Sequence, residues 1–222
     1  MKSIATPLTL FLLLSASNLQ AHEIWLEKHN NTQVKLFLGE PGEPESGDKI
    51  AGLKNTKIYV NEKEASFPIT QHATHWSANV AHNGDILATV DDLWQPWDLE
   101  EVPTWQFWRS PKQQAAKLYA KAGRSNTQSK VEFEFVPIEP QSNTFTLTYK
   151  NAPVVEHDVT VLTPSKAQIK MTTNKDGQIT VKTDQAGLYV VSSDYPVSGE
   201  AVIAGNKVDS TYNITSVTFQ AN

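Results

Sequence analysis

Short runs that alternate apolar and polar residues dominate the chain from residue 32 onward. A period of two places successive side chains on opposite faces, so the runs predict half-buried β-strands. In "TQVKLFLG" the pattern sets Val34, Leu36 and Leu38 on one face. "TKIYVNEKEASFPI" reads as two strands about a turn at Asn61–Lys63. "HWSANV" and "DILATV" flank an Asn83-Gly84 step, a hairpin signal. "KVEFEFVPI" sends Val131, Phe133 and Phe135 inward and Glu132 and Glu134 outward, and further alternating runs continue to the end, with Asp176-Gly177 as another hairpin turn. Many short strands with regular turn signals predict β-sandwiches.

One segment breaks the pattern. "SPKQQAAKLYAKAG" offers Ser110 as a cap, Pro111 for a first turn and Gly123 as a stop. Ala115, Leu118, Tyr119 and Ala122 form one apolar stripe, so a helix is expected over 111–122. The Pro/Gln/Ser stretch after Val136 is the expected domain boundary. The organisation read here is a leader at 1–21, a sandwich domain over 22–137 that includes the helix, and a second sandwich over 143–222.

The leader reading rests on Lys2, an apolar run from Leu8 to Leu14 and a polar tail ending at Ala21, the layout of a cleaved signal peptide. The run is shorter than the roughly 20 residues a bilayer requires, so no membrane span is expected after cleavage. Export, most simply to a bacterial periplasm, follows. The chain has no cysteine, so a disulfide framework and thiolate metal sites are excluded. Its net charge of −5 leaves no basic patch for nucleic acid.

Cleavage after Ala21 would make His22 the mature N-terminus; cleavage after Ser17 would leave it internal. A terminal histidine offers its α-amine, with a pKa of about 8, and its imidazole, about 6.5, to one chelate ring at little proton cost. With one or two further imidazoles or carboxylates this makes a nitrogen/oxygen site suited to Cu(II) or Ni(II). The further candidates are His72, His75 and His82. In "QHATHW" a helix would put His72 and His75 on one side, whereas a strand would send them to opposite faces; with His72 in a turn, His75 or His82 is left as the partner. His29 could join His22 only by a bend in the first strand, and His157, beside Asp158, reads as a surface residue. The acidic stretch "GEPGEPESGD" lacks calcium-loop spacing and reads as a flexible turn. The Trp-rich "DDLWQPWDLEEVPTWQFWRS" reads as packing on the sandwich more readily than as a sugar platform. No Gly-x-Ser-x-Gly, His-Glu-x-x-His or phosphate-cradling glycine loop occurs, and an enzyme is not expected.

In order along the chain, "AHEIWLE", "FWRSPKQQAAKLYAKAG", "VEFEFVPIEPQSNTFTLTYKNAPVVEHDVTVLTP" and "TTNKDGQITVKTDQAGLYVVSSD" resemble the family called domain of unknown function 4198. Relatives in that family are associated with nickel and cobalt uptake in the periplasm. Ile24 stands where the family usually has an aromatic residue, and "EPQSN" lacks the common Asn-Pro. The resemblance implies two immunoglobulin-like or transthyretin-like sandwiches and a role in transition-metal handling, with His22, Glu23, Trp25 and Leu26 as the N-terminal signature. The expected function is therefore binding of nickel, cobalt or copper through His22, accessory to a membrane metal transporter. The alternatives are a histidine-brace copper oxidase acting on polysaccharide and a metal-free carbohydrate- or protein-binding module.

Overall fold

In the computed structural model, residues 22–29, 32–61, 63–65 and 67–222 are described; the expected leader at 1–21 lies outside them. The chain is mainly β, as the alternating runs predict, and its strands form three sheets. The first has the order β1 (Glu23–His29), β2 (Gln33–Glu40), β7 (Trp76–Asn79), β6 (Ile69–Gln71), with β3 (Glu43–Pro44) on β2. The central sheet begins with β15 (Gln168–Thr172), β14 (Asp158–Leu162), β17 (Gly187–Ile203) and β18 (Asn206–Ala221). It continues through β10 (Gln113–Ala122), β8 (Ile86–Val90), β4 (Lys57–Val60) and β5 (Lys63–Ala65), with β9 (Trp97–Asp98) also on β10. In the third, β12 (Thr144–Tyr149) pairs with β11 (Phe133–Pro137), β13 (Ala152–Pro153) and β16 (Gln178–Thr180).

The central sheet serves both sandwiches. On β10, Ala116, Leu118, Ala120 and Ala122 join the cluster of Ile24, Leu26, Val34, Leu36 and Leu38 from the first sheet. Tyr119, one residue out of phase, joins Phe133, Phe135, Phe145 and Leu147 from the third. The same division runs along β18: Ile214 faces the first core, while Val217 and Phe219 face the second. Even-numbered β18 residues also cap the open edge of β1, since Ser216 Oγ donates to the Ile24 carbonyl at 2.7 Å and Thr218 Oγ1 to that of Leu26 at 2.5 Å. The free carbonyls of an edge strand are thereby satisfied by hydroxyls instead of another strand.

Four expectations are corrected. The expected helix over 111–122 is strand β10, paired parallel with β18 and antiparallel with β8. A strand buried on both faces is apolar at nearly every position, so it also contains a helix-like stripe, and the pairing on both edges overrides the helix preference of its alanines. The stretch taken as a domain boundary is a hairpin connection: Pro137 pairs with Phe145, and the Ile138 amide donates to the Thr144 carbonyl at 3.1 Å. The central sheet accordingly draws strands from both sides of it. The Asn83-Gly84 and Asp176-Gly177 steps turn the chain from one sheet into another, not into hairpins, since β7 and β8, and likewise β15 and β16, belong to different sheets.

Glu134, expected outward, is buried. It accepts a 2.9 Å bond from Lys121 Nζ, which is itself buried and lies 3.6 Å from Asp85. Lys130 and Ser125 amides complete the two carboxylates. A charge inside a core requires such pairing and hydrogen bonding.

Candidate functional site

The site begins with a tight turn. Gly39 has φ +133°, and a Cβ there would lie 2.8 Å from the Glu43 carbonyl oxygen and 2.9 Å from the Glu45 nitrogen. Only glycine allows that approach. The chain therefore folds back on β2, with Gly39 opposite Pro44, and the Glu45 amide donates to the Leu38 carbonyl at 2.8 Å. On the other edge of β2, Ile24 pairs with Leu38 and Glu23 with Gly39. His22, just ahead of β1, and Glu45, just after β3, thus arrive at the same end of β2.

Their side chains meet. His22 Nε2 lies 2.8 Å from Glu45 Oε1, and Lys49 Nζ lies 2.7 Å from the other carboxylate oxygen. A hydrogen bond from Lys49 and a second from His22 hold the Glu45 carboxyl below its usual range, so it is ionised at neutral pH. An ionised carboxylate only accepts, which makes His22 Nε2 the donor; in the neutral imidazole the lone pair is then on Nδ1. Lys49 sits one turn into a 3-10 helix, Gly47–Asn55, whose Ile50 and Leu53 are buried in the first core.

This pair lines a cleft of about 840 Å3. Its apolar walls are Leu38, Leu93, Trp94, Trp97, Tyr212 and Ile214. Gln114 reaches it from β10 and donates to Ser210 Oγ at 3.0 Å. The register brings these lining residues together: Tyr212 pairs with Ala116 and Ile214 with Leu118, while Trp97 pairs with Gln114.

The other histidines go elsewhere. His72 and His75 close the β6–β7 turn, with the His72 amide donating to the His75 carbonyl at 2.8 Å. They are not on opposite faces of a strand: their rings stack at 4.4 Å and 11°, and His75 also meets Phe37 at 5.2 Å. Imidazole lone pairs lie in the ring plane, so two stacked rings do not converge on one ion. His72 Nε2 is engaged with Ser77 Oγ at 2.9 Å, and burial followed by the neighbouring His72 lowers the His75 pKa. His82 lies against Gly84 in a separate hollow with Asp85 and Asn126. Among the described residues no group of three His, Asp or Glu side chains is placed to hold a metal, and none of these three imidazoles lines the cleft beside His22.

Glu45 is the residue that sequence reasoning passed over. Its signal was the acidic stretch 39–48, whose turn brings a carboxylate 23 residues away onto His22. The Trp-rich connection divides: Trp94 and Trp97 pack against the first core and line the cleft. Trp105, Phe107 and Trp108 are exposed, and Trp105 and Phe107 each meet Trp108 edge-on. No helix among the described residues is long and apolar enough to cross a membrane. Comparison with family models, with curated proteins and with solved structures gave no match.

Proposed function

We propose that the chain is an exported protein that binds a divalent transition metal ion, nickel, cobalt or copper, through His22, as an accessory to metal uptake by a membrane transporter. The observation that carries this reading is the bond from His22 Nε2 to Glu45. A carboxylate that accepts one ring N–H fixes the tautomer and raises the basicity of the other nitrogen, as it does for metal-ligating histidines in general. Here the other nitrogen is Nδ1, the one that closes a chelate ring with the α-amine after cleavage at Ala21. Glu45 is thus a positioning residue for Nδ1. The ligand set is nitrogen-rich and suits metals late in the divalent series, with copper bound most tightly.

The test is calorimetric titration of Ni(II), Co(II) and Cu(II) into protein that begins at His22 and into protein with one alanine ahead of it. The extra residue removes the free amine from His22 and should weaken binding by at least tenfold. Equal affinity of the two forms eliminates the chelate. A histidine brace needs a second imidazole at the ion, and the cleft beside His22 is lined by no other histidine, which favours the binding reading over an oxidase. A metal-free carbohydrate-binding module is the second reading, supported by the exposed Trp105, Phe107 and Trp108. Retention on insoluble polysaccharide that is lost in Trp108→Ala would favour it.

A further inference from the structure

The cleft between the first and central sheets contains a buried acceptor that the chain itself leaves unused. Gln114 continues the even-numbered row of β10, Ala116, Leu118, Ala120 and Ala122, that faces the first core, and it lines the cleft with Tyr212 and Ile214. The residue is only 9% exposed. Its amide nitrogen donates to Ser210 Oγ at 3.0 Å, and among the described residues no donor reaches its side-chain oxygen. A carboxamide oxygen has two lone pairs, and leaving a buried one unpaired is costly. Two rings stand beside this oxygen in the register. Trp97 is opposite Gln114 across the β9–β10 pair, and Tyr212 is two residues from Ser210, the partner of Gln114 on β18. Among the described residues neither ring stacks on another ring or covers a cation. The Tyr212 hydroxyl donates to Asp194 Oδ2 at 2.7 Å, which makes that ring richer in electrons. A ring face of this kind attracts a cation.

The charges around the cleft have the matching sign. Glu45 and Asp48 line it together with Lys49. Lys49 is held 2.7 Å from Glu45, and no described residue pairs with Asp48, so with His22 neutral the lining carries one uncompensated negative charge. That field draws in a cation and repels an anion. From these features we infer that the cleft binds a protonated primary amine with an apolar body, its ammonium donating to Gln114 Oε1 beside the Trp97 and Tyr212 rings and its body lying along Leu38, Leu93 and Trp94. An alcohol could also donate to Gln114, but it would leave the ring faces and the net charge unanswered. A cleft of this volume, mostly apolar with a few placed polar groups, is the usual form of a small-molecule site. The site uses neither the His22 imidazole nor a free N-terminus, so it is independent of the metal reading.

The protein is titrated at pH 7 in metal-free buffer with four compounds that share one frame: 4-phenylbutylamine, 4-phenylbutan-1-ol, 4-phenylbutyrate and trimethyl(4-phenylbutyl)ammonium. Calorimetry and indole fluorescence read the binding. The amine should bind about tenfold more tightly than the alcohol, and the carboxylate should bind most weakly. The trimethyl compound keeps the charge but has no N–H, so it should fall between the amine and the alcohol. Gln114→Met removes the acceptor at similar length and should bring the amine down to the trimethyl compound, whose own affinity stays unchanged. Asp48→Asn, at an exposed position, should weaken both cations about twofold and leave the alcohol unaffected, which keeps the test readable should the Gln114 variant fold poorly. Equal binding of amine and alcohol overturns the inference. Tighter binding of the carboxylate also overturns it, by moving the anchor to Lys49. Equal binding of the amine and its trimethyl analogue overturns it by removing Gln114 from the site, and so does failure of all four compounds to bind. Each of these outcomes leaves the nickel titration at His22 as a separate question.

Discussion

The two faces of the central sheet are covered alike but filled differently. Toward β11 and β12 the core is built of rings: Phe145 meets Phe135 edge-on at 6.5 Å and Phe219 at 5.5 Å, and Tyr189 stacks on Phe219 at 5.5 Å. Toward β1 and β2 the core is aliphatic, and the central sheet contributes Ala88, Ala116, Ala120 and Ala122 to it. Large rings close one sandwich completely. Small side chains let the other sheet approach over part of its area, and where it ends, indoles and a phenol border an open cleft instead of filling a core. One sandwich is therefore closed by packing, and the other gives up some of its packing to leave a cleft.

The sharpest break of that comparison is Phe145→Ala. Phe145 is fully buried, and truncating it should cost about 3–5 kcal/mol. Denaturant unfolding should register the loss, while nickel affinity at His22 stays within twofold. Lys121→Met should be of similar size, about 3–5 kcal/mol, because it leaves the buried Glu134 and Asp85 carboxylates without their cation. That network joins β8 and β10 to β11, so both sandwiches should lose protection from hydrogen exchange together.

Glu23 sharpens the contrast in the opposite direction. Burial, with Asp194 and Glu40 nearby, pushes its pKa from 4.5 up to about 8, against the effect of a hydrogen bond with Ser192. Between those values the folded chain holds a proton that the unfolded chain releases, so this group's contribution to stability falls as pH rises from about 4.5 to 8. Glu23→Gln mimics the protonated form. It should raise stability by on the order of 3 kcal/mol at pH 7 and by almost nothing at pH 4, which thermal melts of both proteins at the two pH values would test. The smallest effect belongs to Glu45→Gln. It removes the charge that orients His22 and should weaken nickel binding about tenfold while leaving the melting temperature unchanged.

How much of this was legible in the sequence varied with how many neighbours an element has. β2 is half-buried on one side only, and Val34, Leu36 and Leu38 announce it. β10 is buried on both faces and hydrogen-bonded on both edges, and in such a strand the period of two disappears: Ala115, Ala116, Leu118 and Tyr119 are all buried. Glu134 was assigned outward by the same alternation, because nothing local reveals that a lysine thirteen residues earlier is waiting for it. Turn residues were read correctly as turns and wrongly as hairpins, since Asn-Gly and Asp-Gly fix the local bend and not the sheet the chain enters next. His22 was visible as a candidate, whereas Glu45 depended on β1, β2 and β3 pairing in register. Local chemistry can be read from a single stretch, but a site made by three strands cannot.

The parallel pairing of β10 with β18 joins residues about a hundred positions apart, Gln114 with Ser210 through Ala122 with Thr218. Both cores lean on β18, through Ile214 on one side and Val217 and Phe219 on the other. Neither sandwich can close until residue 219 or so has left the ribosome. Contacts of such long sequence separation form slowly, so both cores should close only after β18 has been made, whatever local hairpins form earlier. The arrangement of the central sheet thus builds a delay in folding into the order of its strands.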